Sequence, residues 1–274
     1  MTEAGGRPPA PVPEPAAPGD RFVVVGCGTV VPEADRACSA YWLESGPVRA
    51  LLDCGPGALQ AMARLGLPWS RITDLVLTHF HADHVGAMPG LLFALTHALL
   101  PETREEPLRI HGPRGTRDLV DRMAAAFGPF VTDPGFPVEI CEMRPGADTV
   151  LGGAVTLRGQ PVPHTAESQA LRLAGGPGTI VYTGDTGPCP ELASFARGAD
   201  LLVCECALPD SHAVDNHLSP ASVAAVAAGA APGLLLLTHV YPAFRTAADL
   251  PSLLAAAGWR GRTEVAREGW RFPT

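Results

Sequence analysis

The sequence contains no lysine, so all 20 of its Lys and Arg residues are arginine. This absence excludes a phosphate-binding P-loop lysine, a Schiff-base lysine and a lysine general base. Positive charge is also scarce, because the 28 acidic residues give the chain a formal net charge of −8. A broadly basic surface for nucleic acid is therefore not expected, although a local basic patch is not excluded.

The sequence also has no C-x-x-C motif and no apolar run of membrane-spanning length. The seven cysteines are scattered, with no C-x-x-C pair, which is not the pattern of a disulfide framework. We predict buried, reduced thiols for those in or beside apolar runs, which are Cys27, Cys54, Cys204 and Cys206. No apolar run is long enough to span a membrane, and the chain has no secretory start, so we expect a cytoplasmic protein without a membrane partner.

Proline divides the 274-residue chain into two unequal parts. Residues 1–19 hold six prolines and are predicted to form a disordered N-terminal arm. Residues 20–274 contain no internal repeat and no linker, and they are numerous enough to bury a sizeable core. We therefore predict one folded domain over residues 20–274.

A cluster of metal-binding residue types follows one predicted strand. Residues 73–77 (Thr-Asp-Leu-Val-Leu) indicate a buried strand, and a polar segment comes directly after it. Alternate residues of an extended chain point the same way, so His79 and His81 can reach one point in space. Asp83 and His84 lie where the chain turns into a helical run, and they can face a second point nearby. Imidazole and carboxylate groups together suit zinc and similar first-row metals.

Later apolar runs end in the same way, each followed by a single residue of a ligand or acid–base type. Three of them lead into Asp185, Glu205 and His239, and a further strand precedes His164. Strands that are apolar throughout are covered on both faces, and their ends are where a rigid scaffold can present a site. We therefore predict an α/β fold in which two sheets pack together with helices outside.

Three motifs resemble those of one known family. The run from His79 to His84 matches the HxHxDH signature of the metallo-β-lactamase superfamily. The G-x-G-T…P…R segment that begins at Gly26 is similar to the opening of ribonuclease Z-like members, and residues 53–55 match the family's D-x-G turn. The resemblance implies the four-layer αββα sandwich of that superfamily, with residues 20–274 as its catalytic domain.

The resemblance also implies a site for two divalent metal ions, with zinc favoured and manganese or iron as alternatives. It assigns three histidines to one metal, an aspartate and two histidines to the other, and a second aspartate as the bridge. In that order the ligands are His79, His81 and His164; Asp83, His84 and His239; and Asp185. A water shared by the two metals would be activated there, and Asp83 would orient it and accept its proton.

Two further pairs of residues are implied by the ribonuclease Z-like pattern. Glu205 and His217 match a proton relay to the leaving group, made of a Glu after a strand and a His in an H-x-[ST] context. Ser168 and Arg172 match an S-x-x-x-R strand that contacts substrate, and the planar fork of arginine suits phosphate. The alternatives are structural, with His217 as a cap beside the following helix and Arg172 in a salt bridge.

The predicted relay bears on the substrate, because an alkoxide leaves poorly without a proton donor. This favours a phosphodiester over a lactam or thioester. Family members that process tRNA 3′ ends carry a long basic arm between the third metal histidine and the bridging aspartate, but only 20 residues separate His164 from Asp185. We therefore predict a branch similar to cyclic-nucleotide phosphodiesterases, acting on a small or short nucleotide phosphodiester rather than on extended nucleic acid. Short-arm relatives are commonly dimers, so a homodimer is also an expectation.

Three alternative functions stay open at this point. One is a hydrolase of the same fold that acts on a lactone, a thioester or another acyl group, and it predicts that His217→Ala stays active. The second is a tRNA 3′-processing endoribonuclease. The third is a non-catalytic metal-binding protein, which predicts no turnover of a generic phosphodiester when metal is added.

Overall fold

Two seven-stranded β-sheets packed face to face form the middle of the protein. The computed structural model describes residues 19–99, 103–247 and 249–273. The first sheet has the order β14-β1-β2-β3-β4-β5-β6, with strands β1 (Arg21–Gly26), β2 (Ala40–Ser45), β3 (Val48–Leu52), β4 (Asp74–Val76), β5 (Leu108–Gly112), β6 (Val138–Glu142) and β14 (Arg271–Phe272). The second has the order β13-β12-β11-β10-β9-β8-β7, with strands β7 (Asp148–Leu151), β8 (Val155–Pro161), β9 (Gln169–Gly175), β10 (Gly178–Tyr182), β11 (Leu201–Glu205), β12 (Leu234–Thr238) and β13 (Thr263–Val265).

Helices cover the outer faces of both sheets. The first sheet is covered by α1 (Ala58–Arg64), α3 (Met88–His97) and α4 (Thr116–Phe127). The second is covered by α5 (Pro190–Phe195), α6 (Pro220–Ala230) and α8 (Leu250–Ala256). Two more helices, α2 (Ala82–Val85) and α7 (Pro242–Ala247), follow β4 and β12. The layers run helix, sheet, sheet, helix, which confirms the predicted αββα fold class.

The core between the sheets is built from the inward faces of both. Tyr41 of β2 and Leu52 of β3 lie there together with Tyr182 of β10 and Leu236 of β12, and all four are buried. The outward face of β12 is buried too, against helices of the outer layer. The near-continuous apolar runs of the sequence therefore mark central strands that are covered on both faces, as predicted.

Parallel pairing brings the functional strand ends together. In the first sheet β3 to β6 run parallel, and in the second β10 to β13 run parallel. The segments that follow β3 and β4 therefore leave the first sheet at the same edge, and those that follow β10, β11 and β12 leave the second sheet together. Side chains from these segments meet at one end of the sandwich, where the site is built.

The turn-rich sequence from Phe130 to Val150 predicts an irregular segment, but this prediction is wrong, because the segment contains β6 and β7. These strands are the outer edges of the two sheets. β6 has no fully buried residue and β7 has only one, so neither carries the apolar run that marks a central strand. Edge strands with many polar residues resemble loops in sequence.

Helix α3 is less buried than its apolar sequence indicated. The largely apolar sequence from Pro89 to Leu100 predicts a well-buried helix. The structure ends this helix at His97, and Leu100 lies outside the described residues. Its core face is formed by Leu91, Leu92 and Leu95, but Phe93 on the other face is 51% exposed. Because the helix lies on the surface of a sheet, only one of its faces can be covered.

Other expectations have mixed outcomes. Of the predicted N-terminal arm, residues 1–19, only the exposed Gly19 falls within the described residues. None of the helices in the described part of the chain has the length and apolarity needed to cross a membrane. The four cysteines predicted to be buried, Cys27, Cys54, Cys204 and Cys206, are buried and carry free thiols.

Candidate metal centre

The turn after β4 places four polar side chains at the carboxyl end of the first sheet. His79 follows the strand and is fully buried, and His81 is extended at the N-cap of α2. Asp83 and His84 lie in α2 itself and are also buried. The alternation of an extended chain and the first turn of a helix thus direct two pairs of ligand-type groups to neighbouring points, as their spacing predicted.

Three histidines form the first of two adjacent clusters. Ring nitrogens of His79, His81 and His164 all lie within 4.8 Å of one another. The closest pair is His164 Nε2 and His81 Nδ1, at 3.0 Å. His164 comes from the loop after β8 in the second sheet, so this cluster joins the two sheets.

The second cluster contains Asp83, His84, Asp185 and His239. Asp185 lies at its centre, with Oδ1 3.3 Å from His84 Nε2 and Oδ2 3.4 Å from His239 Nε2. Asp83 Oδ2 is 3.3 Å from the same His239 nitrogen. Asp185 Oδ2 also lies 3.8 Å from His164 Nε2 in the first cluster. Asp185 therefore lies between the clusters, at the place predicted for a bridging ligand.

Unpaired polar atoms at the centre show that this arrangement fits divalent cations. His79 Nε2, His84 Nε2 and Asp185 Oδ1 are buried and have no hydrogen-bond partner among the described residues. Leaving such atoms unpaired costs free energy, whereas coordination would satisfy all three. Neutral imidazole nitrogens and carboxylate oxygens are the donor set that zinc and related metals use.

The other ring nitrogens of these histidines are held by hydrogen bonds that fix their tautomers. His84 Nδ1 donates to Asp53 Oδ2 at 2.7 Å, and His164 Nδ1 donates to the carbonyl of Asn216 at 2.8 Å. Thr78 Oγ1 donates to Asp53 and can therefore accept from His79 Nδ1 at 3.1 Å. Each ring then presents an unprotonated Nε2 to the centre, which is how metal-binding histidines are commonly oriented.

The pKa values of most candidate ligands favour the protonation states that bind metal, and His84 is the exception. Burial lowers the pKa of His79 to about 2 and also lowers the pKa values of His81 and His164, so these rings are neutral at pH 7. Burial alone would raise the pKa of Asp185, but the neighbouring His239 and His84 hold it well below its usual value. Burial would lower the pKa of His84, but the Asp185 and Asp53 carboxylates raise it. His84 must therefore lose a proton from Nε2 when it binds a cation.

The buried Glu205 and the partly buried His217 form a hydrogen-bonded pair beside the two clusters. His217 Nδ1 lies 2.9 Å from Glu205 Oε1, and its ring stacks on that of His239 with centroids 5.8 Å apart. Burial raises the pKa of Glu205. Burial would lower the pKa of His217, but the hydrogen bond and charge of Glu205 raise it above its ordinary value. The helix-cap alternative for His217 is wrong, because Ser219 is the N-cap of α6.

Known proteins that are similar to this chain belong to the family whose motifs the sequence resembles. The model of the beta-lactamase superfamily domain matches residues 48–240. The chain belongs to the metallo-β-lactamase superfamily. A ribonuclease Z of Mycobacterium sp. (strain KMS) is 32% identical over 265 residues, which cover 89% of each chain. This similarity confirms the predicted resemblance to ribonuclease Z-like members.

Solved structures of metallo-β-lactamase proteins share the fold of the chain. The metallo-beta-lactamase fold protein YhfI from Bacillus subtilis superposes with a TM-score of 0.81 at 24% identity, over 92% of this chain and 98% of that one. The short form of human tRNase Z gives a TM-score of 0.73 at 22% identity, with the same coverage. At these identities the comparisons establish the fold alone.

Arg172 does not reach the candidate metal centre, so the structure does not support its predicted substrate contact. It lies on the outward face of β9, where its Nη1 donates to the carbonyls of Phe195 and Arg197 at 2.9 and 3.3 Å. The salt-bridge alternative is also not observed, since both acceptors are backbone carbonyls. The alternation of β9 explains this placement, because its neighbours Leu171 and Leu173 point into the core between the sheets.

Ser168 lies closer to the centre, but it supports the loop that carries His164. Its hydroxyl lies 2.6 Å from Thr165 Oγ1 and accepts from the Thr165 backbone N–H at 3.1 Å. Ser168 is 2% exposed, so it has little surface to offer a substrate. Its role as a substrate contact stays a prediction without support from these contacts.

Several supporting groups could not be found from sequence. The carbonyl of Asn216 orients His164, and a backbone group leaves no signal in residue type. Gln169 Nε2 donates to the carbonyl of Leu77 at 3.0 Å, which ties the second sheet to the strand end before the metal cluster. Gln169 is a polar residue at the start of β9, but its residue type does not indicate the partner of its side chain.

Proposed function

We propose that the protein is a phosphodiesterase that depends on two divalent metal ions, most readily zinc, and that its substrates are small phosphodiesters. The hydrogen-bonded pair of Glu205 and His217 next to the metal ligands carries the proposal. A partly buried imidazole with a raised pKa can donate a proton, and a leaving alkoxide is the group that needs one. Membership in the superfamily supports a metal-dependent hydrolase as the broader class.

The proposed metal ligands form two sets with one residue between them. They are His79, His81 and His164 on one side, Asp83, His84 and His239 on the other, and Asp185 between them. The metals would supply an activated water at neutral pH and neutralise charge on the phosphoryl oxygens. Burial would raise the pKa of Asp83, but His239 and His84 lower it to about 2, so this carboxylate stays ionised at neutral pH and can orient that water.

His217, whose ring stacks on that of His239, would protonate the leaving group. Its Nδ1–H donates to Glu205, so the Nε2–H of the protonated ring is free to be transferred to a leaving oxygen. Glu205 is itself held by the backbone N–H groups of Thr186 and Leu218, at 2.7 and 3.2 Å. The carboxylate is therefore fixed in place and keeps the ring of His217 in one tautomer and one orientation.

A compact substrate is favoured by the short connection between the third histidine and Asp185. Most of this connection is used by the paired strands β9 and β10. No basic insertion is present within it to hold an extended RNA through its phosphates. A cyclic nucleotide or a short oligonucleotide can bind without such an insertion.

A second candidate, a tRNA 3′-processing endoribonuclease, is favoured by a different observation. Mycobacterial proteins named ribonuclease Z match 89% to 90% of the chain at 30% to 32% identity. The two candidates share the site and differ only in the size of the substrate. Both need the relay, whereas a lactone or thioester hydrolase needs it much less.

A substrate panel on the zinc- or manganese-loaded protein tests the proposal. The panel contains a cyclic nucleotide, bis(4-nitrophenyl) phosphate, a tRNA precursor and a lactone. We expect turnover of the first two, while cleavage of the precursor alone would favour the second candidate. Hydrolysis of the lactone alone, or no turnover at all, would contradict the proposal.

Removal of the proposed donor separates the mechanisms. His217→Ala should lower kcat on the cyclic nucleotide about 100-fold or more, because general-acid catalysis is worth that much when the leaving group is an alkoxide. His212→Ala is the matched control, since His212 is exposed in the same loop and its side chain hydrogen-bonds, among the described residues, to Ser211 alone. Full activity of His217→Ala on the cyclic nucleotide would refute the relay.

A further inference from the structure

A cavity of about 400 Å³ opens beside the proposed metal centre, and we call it the Val30 cavity. It lies between the β1–β2 loop, the turn before α1, and α2. Val30, Val31 and Pro56 provide apolar wall, and the metal-ligand candidate Asp83 lines the side that meets the centre. A group bound in the cavity would therefore be next to the reacting atoms.

The charged side chains around the Val30 cavity are already paired with other parts of the protein. The pairs are Glu33 with Arg245 at 3.2 Å, Arg36 with Cys27 Sγ at 2.8 Å, and Arg64 with Glu268 at 2.8 Å. Cys38 Sγ donates to the carbonyl of Thr29 at 3.1 Å. These pairings hold one end of each side chain, and most of the exposed wall is apolar, so the cavity offers little to recognise the hydrogen-bonding edges of a ligand.

The apolar part of the wall is unusually open to solvent. Val30 is 59% exposed and Val31 is 37% exposed, and both lie in the loop that closes the cavity. Concave apolar surface beside a few convergent polar groups is the usual form of a small-molecule site. We propose that the Val30 cavity binds an apolar or aromatic substituent of the substrate by packing against its faces. This inference rests on the proposed function and specifies its substrate class.

The position of the cavity decides which substituent of a phosphodiester it takes. His217, the proposed donor to the leaving group, stacks on His239, whereas the cavity opens at Asp83. Because the leaving group is assigned to His217, the cavity at Asp83 is left for the other substituent, the one that stays on phosphorus. This surface can pack against the face of a ring but makes few hydrogen bonds to its edge. The preferred substrates are therefore diesters that carry an aryl group or a nucleobase, and different bases should be bound about equally well.

Two diesters that share the leaving group 4-nitrophenolate and differ in the other substituent test the Val30 cavity. Methyl 4-nitrophenyl phosphate and phenyl 4-nitrophenyl phosphate are compared on the metal-loaded protein, with each kcat/KM divided by the uncatalysed rate. Burial of the added ring should make the corrected kcat/KM of the phenyl compound about tenfold higher or more. Val30→Asp should abolish this preference. Val150→Asp, at a valine of β7 that is 63% exposed and does not line the cavity, should keep it.

A binding measurement keeps the test independent of turnover. In calorimetry on the same protein, phenylphosphonate should bind about tenfold more tightly than methylphosphonate, and Val30→Asp should make the two equal. If neither diester is hydrolysed, the proposed function fails, while the phosphonate pair still decides about the cavity. Equal values for phenyl and methyl compounds in the unaltered protein, or a preference that survives Val30→Asp, would overturn the inference.

Discussion

Asp53 and His84 form a fully buried pair beneath the proposed metal centre, with Asp53 Oδ2 accepting from His84 Nδ1 at 2.7 Å. The same oxygen accepts from Tyr182 Oη at 2.9 Å and from Thr78 Oγ1 at 2.8 Å. Asp53 has a φ of +56°, a left-handed conformation that costs about 1–2 kcal/mol for a residue with a Cβ. The surrounding contacts maintain this strained residue, which fixes the ring of His84 with Nε2 towards Asp185.

Asp53→Asn should weaken zinc binding about 10- to 100-fold, because loss of the carboxylate behind a metal-ligand histidine has that typical effect. Zinc affinity measured by competition with a chelator checks this. The matched control is Asp74→Asn, since Asp74 and His111 form a second buried carboxylate–imidazole pair at 2.8 Å outside the centre. Equal losses of affinity in the two variants would contradict the proposed role of Asp53.

Glu205→Gln should slow the release of alkoxide leaving groups while leaving zinc affinity intact. The pKa of His217 should fall in this variant, because burial lowers it and Glu205 is what raises it, together with the more distant Asp185 and Asp83. His217 acts in its protonated form, so activity is lost as the pH rises through its pKa. The basic limb of the kcat–pH profile should therefore move to lower pH.

The leaving group provides the control for the Glu205 experiment. A 4-nitrophenolate leaves without a proton, so kcat on bis(4-nitrophenyl) phosphate should change little in Glu205→Gln. Glu142→Gln is the matched variant, because Glu142 also accepts two backbone N–H groups but is exposed and lies at the end of β6 in the first sheet. An unchanged profile, or equal losses for both kinds of leaving group, would argue against a proton relay.

Gly187→Ala should displace the loop that carries His217. A Cβ at Gly187 would collide with the carbonyl oxygen of Asp215, and the next residue of that loop, Asn216, accepts from His164. We expect kcat on a cyclic nucleotide to fall at least about tenfold, with a smaller loss on bis(4-nitrophenyl) phosphate. Gly90→Ala is the control, since a Cβ at Gly90 in α3 meets nothing within 4 Å. Normal kinetics of Gly187→Ala would show that the loop tolerates the shift.

Removal of metal should lower the stability of the protein. The centre gathers neutral imidazoles and ionised carboxylates with buried unpaired atoms, and bound cations would satisfy them. A ligand at 100 times its Kd stabilises the folded state by about 2.7 kcal/mol, which corresponds to a Tm increase of about 5–10 °C. Thermal unfolding with chelator and with added zinc measures the shift. His239→Ala should reduce it, whereas His97→Ala, at an exposed residue of α3, should not.

Local spacing made much of the fold and the candidate site predictable from sequence. The buried strands are apolar along their whole length, and residues such as Asp185 and His239 stand at their ends. In a parallel sheet such ends meet at one edge, so residues far apart in the chain could be expected to converge. The alternation of an extended chain was enough to pair His79 with His81.

The remaining features depend on contacts that residue type does not encode. Arg172 is compatible with phosphate binding by its chemistry, but the register of β9 turns it to the outward face. The edge strands β6 and β7 are held by pairing with a neighbour rather than by apolar runs. The support of His164 comes from a backbone carbonyl, which any residue at position 216 would supply.

A crystal structure of the zinc-loaded protein, with anomalous scattering recorded at the zinc edge, tests the central proposal most directly. We predict two peaks, one reached by ring nitrogens of His79, His81 and His164 and one by Asp83, His84 and His239, with Asp185 between them. A map with no peak at this place, or with His164, Asp185 or His239 directed away from the bound metal, would contradict a dinuclear centre.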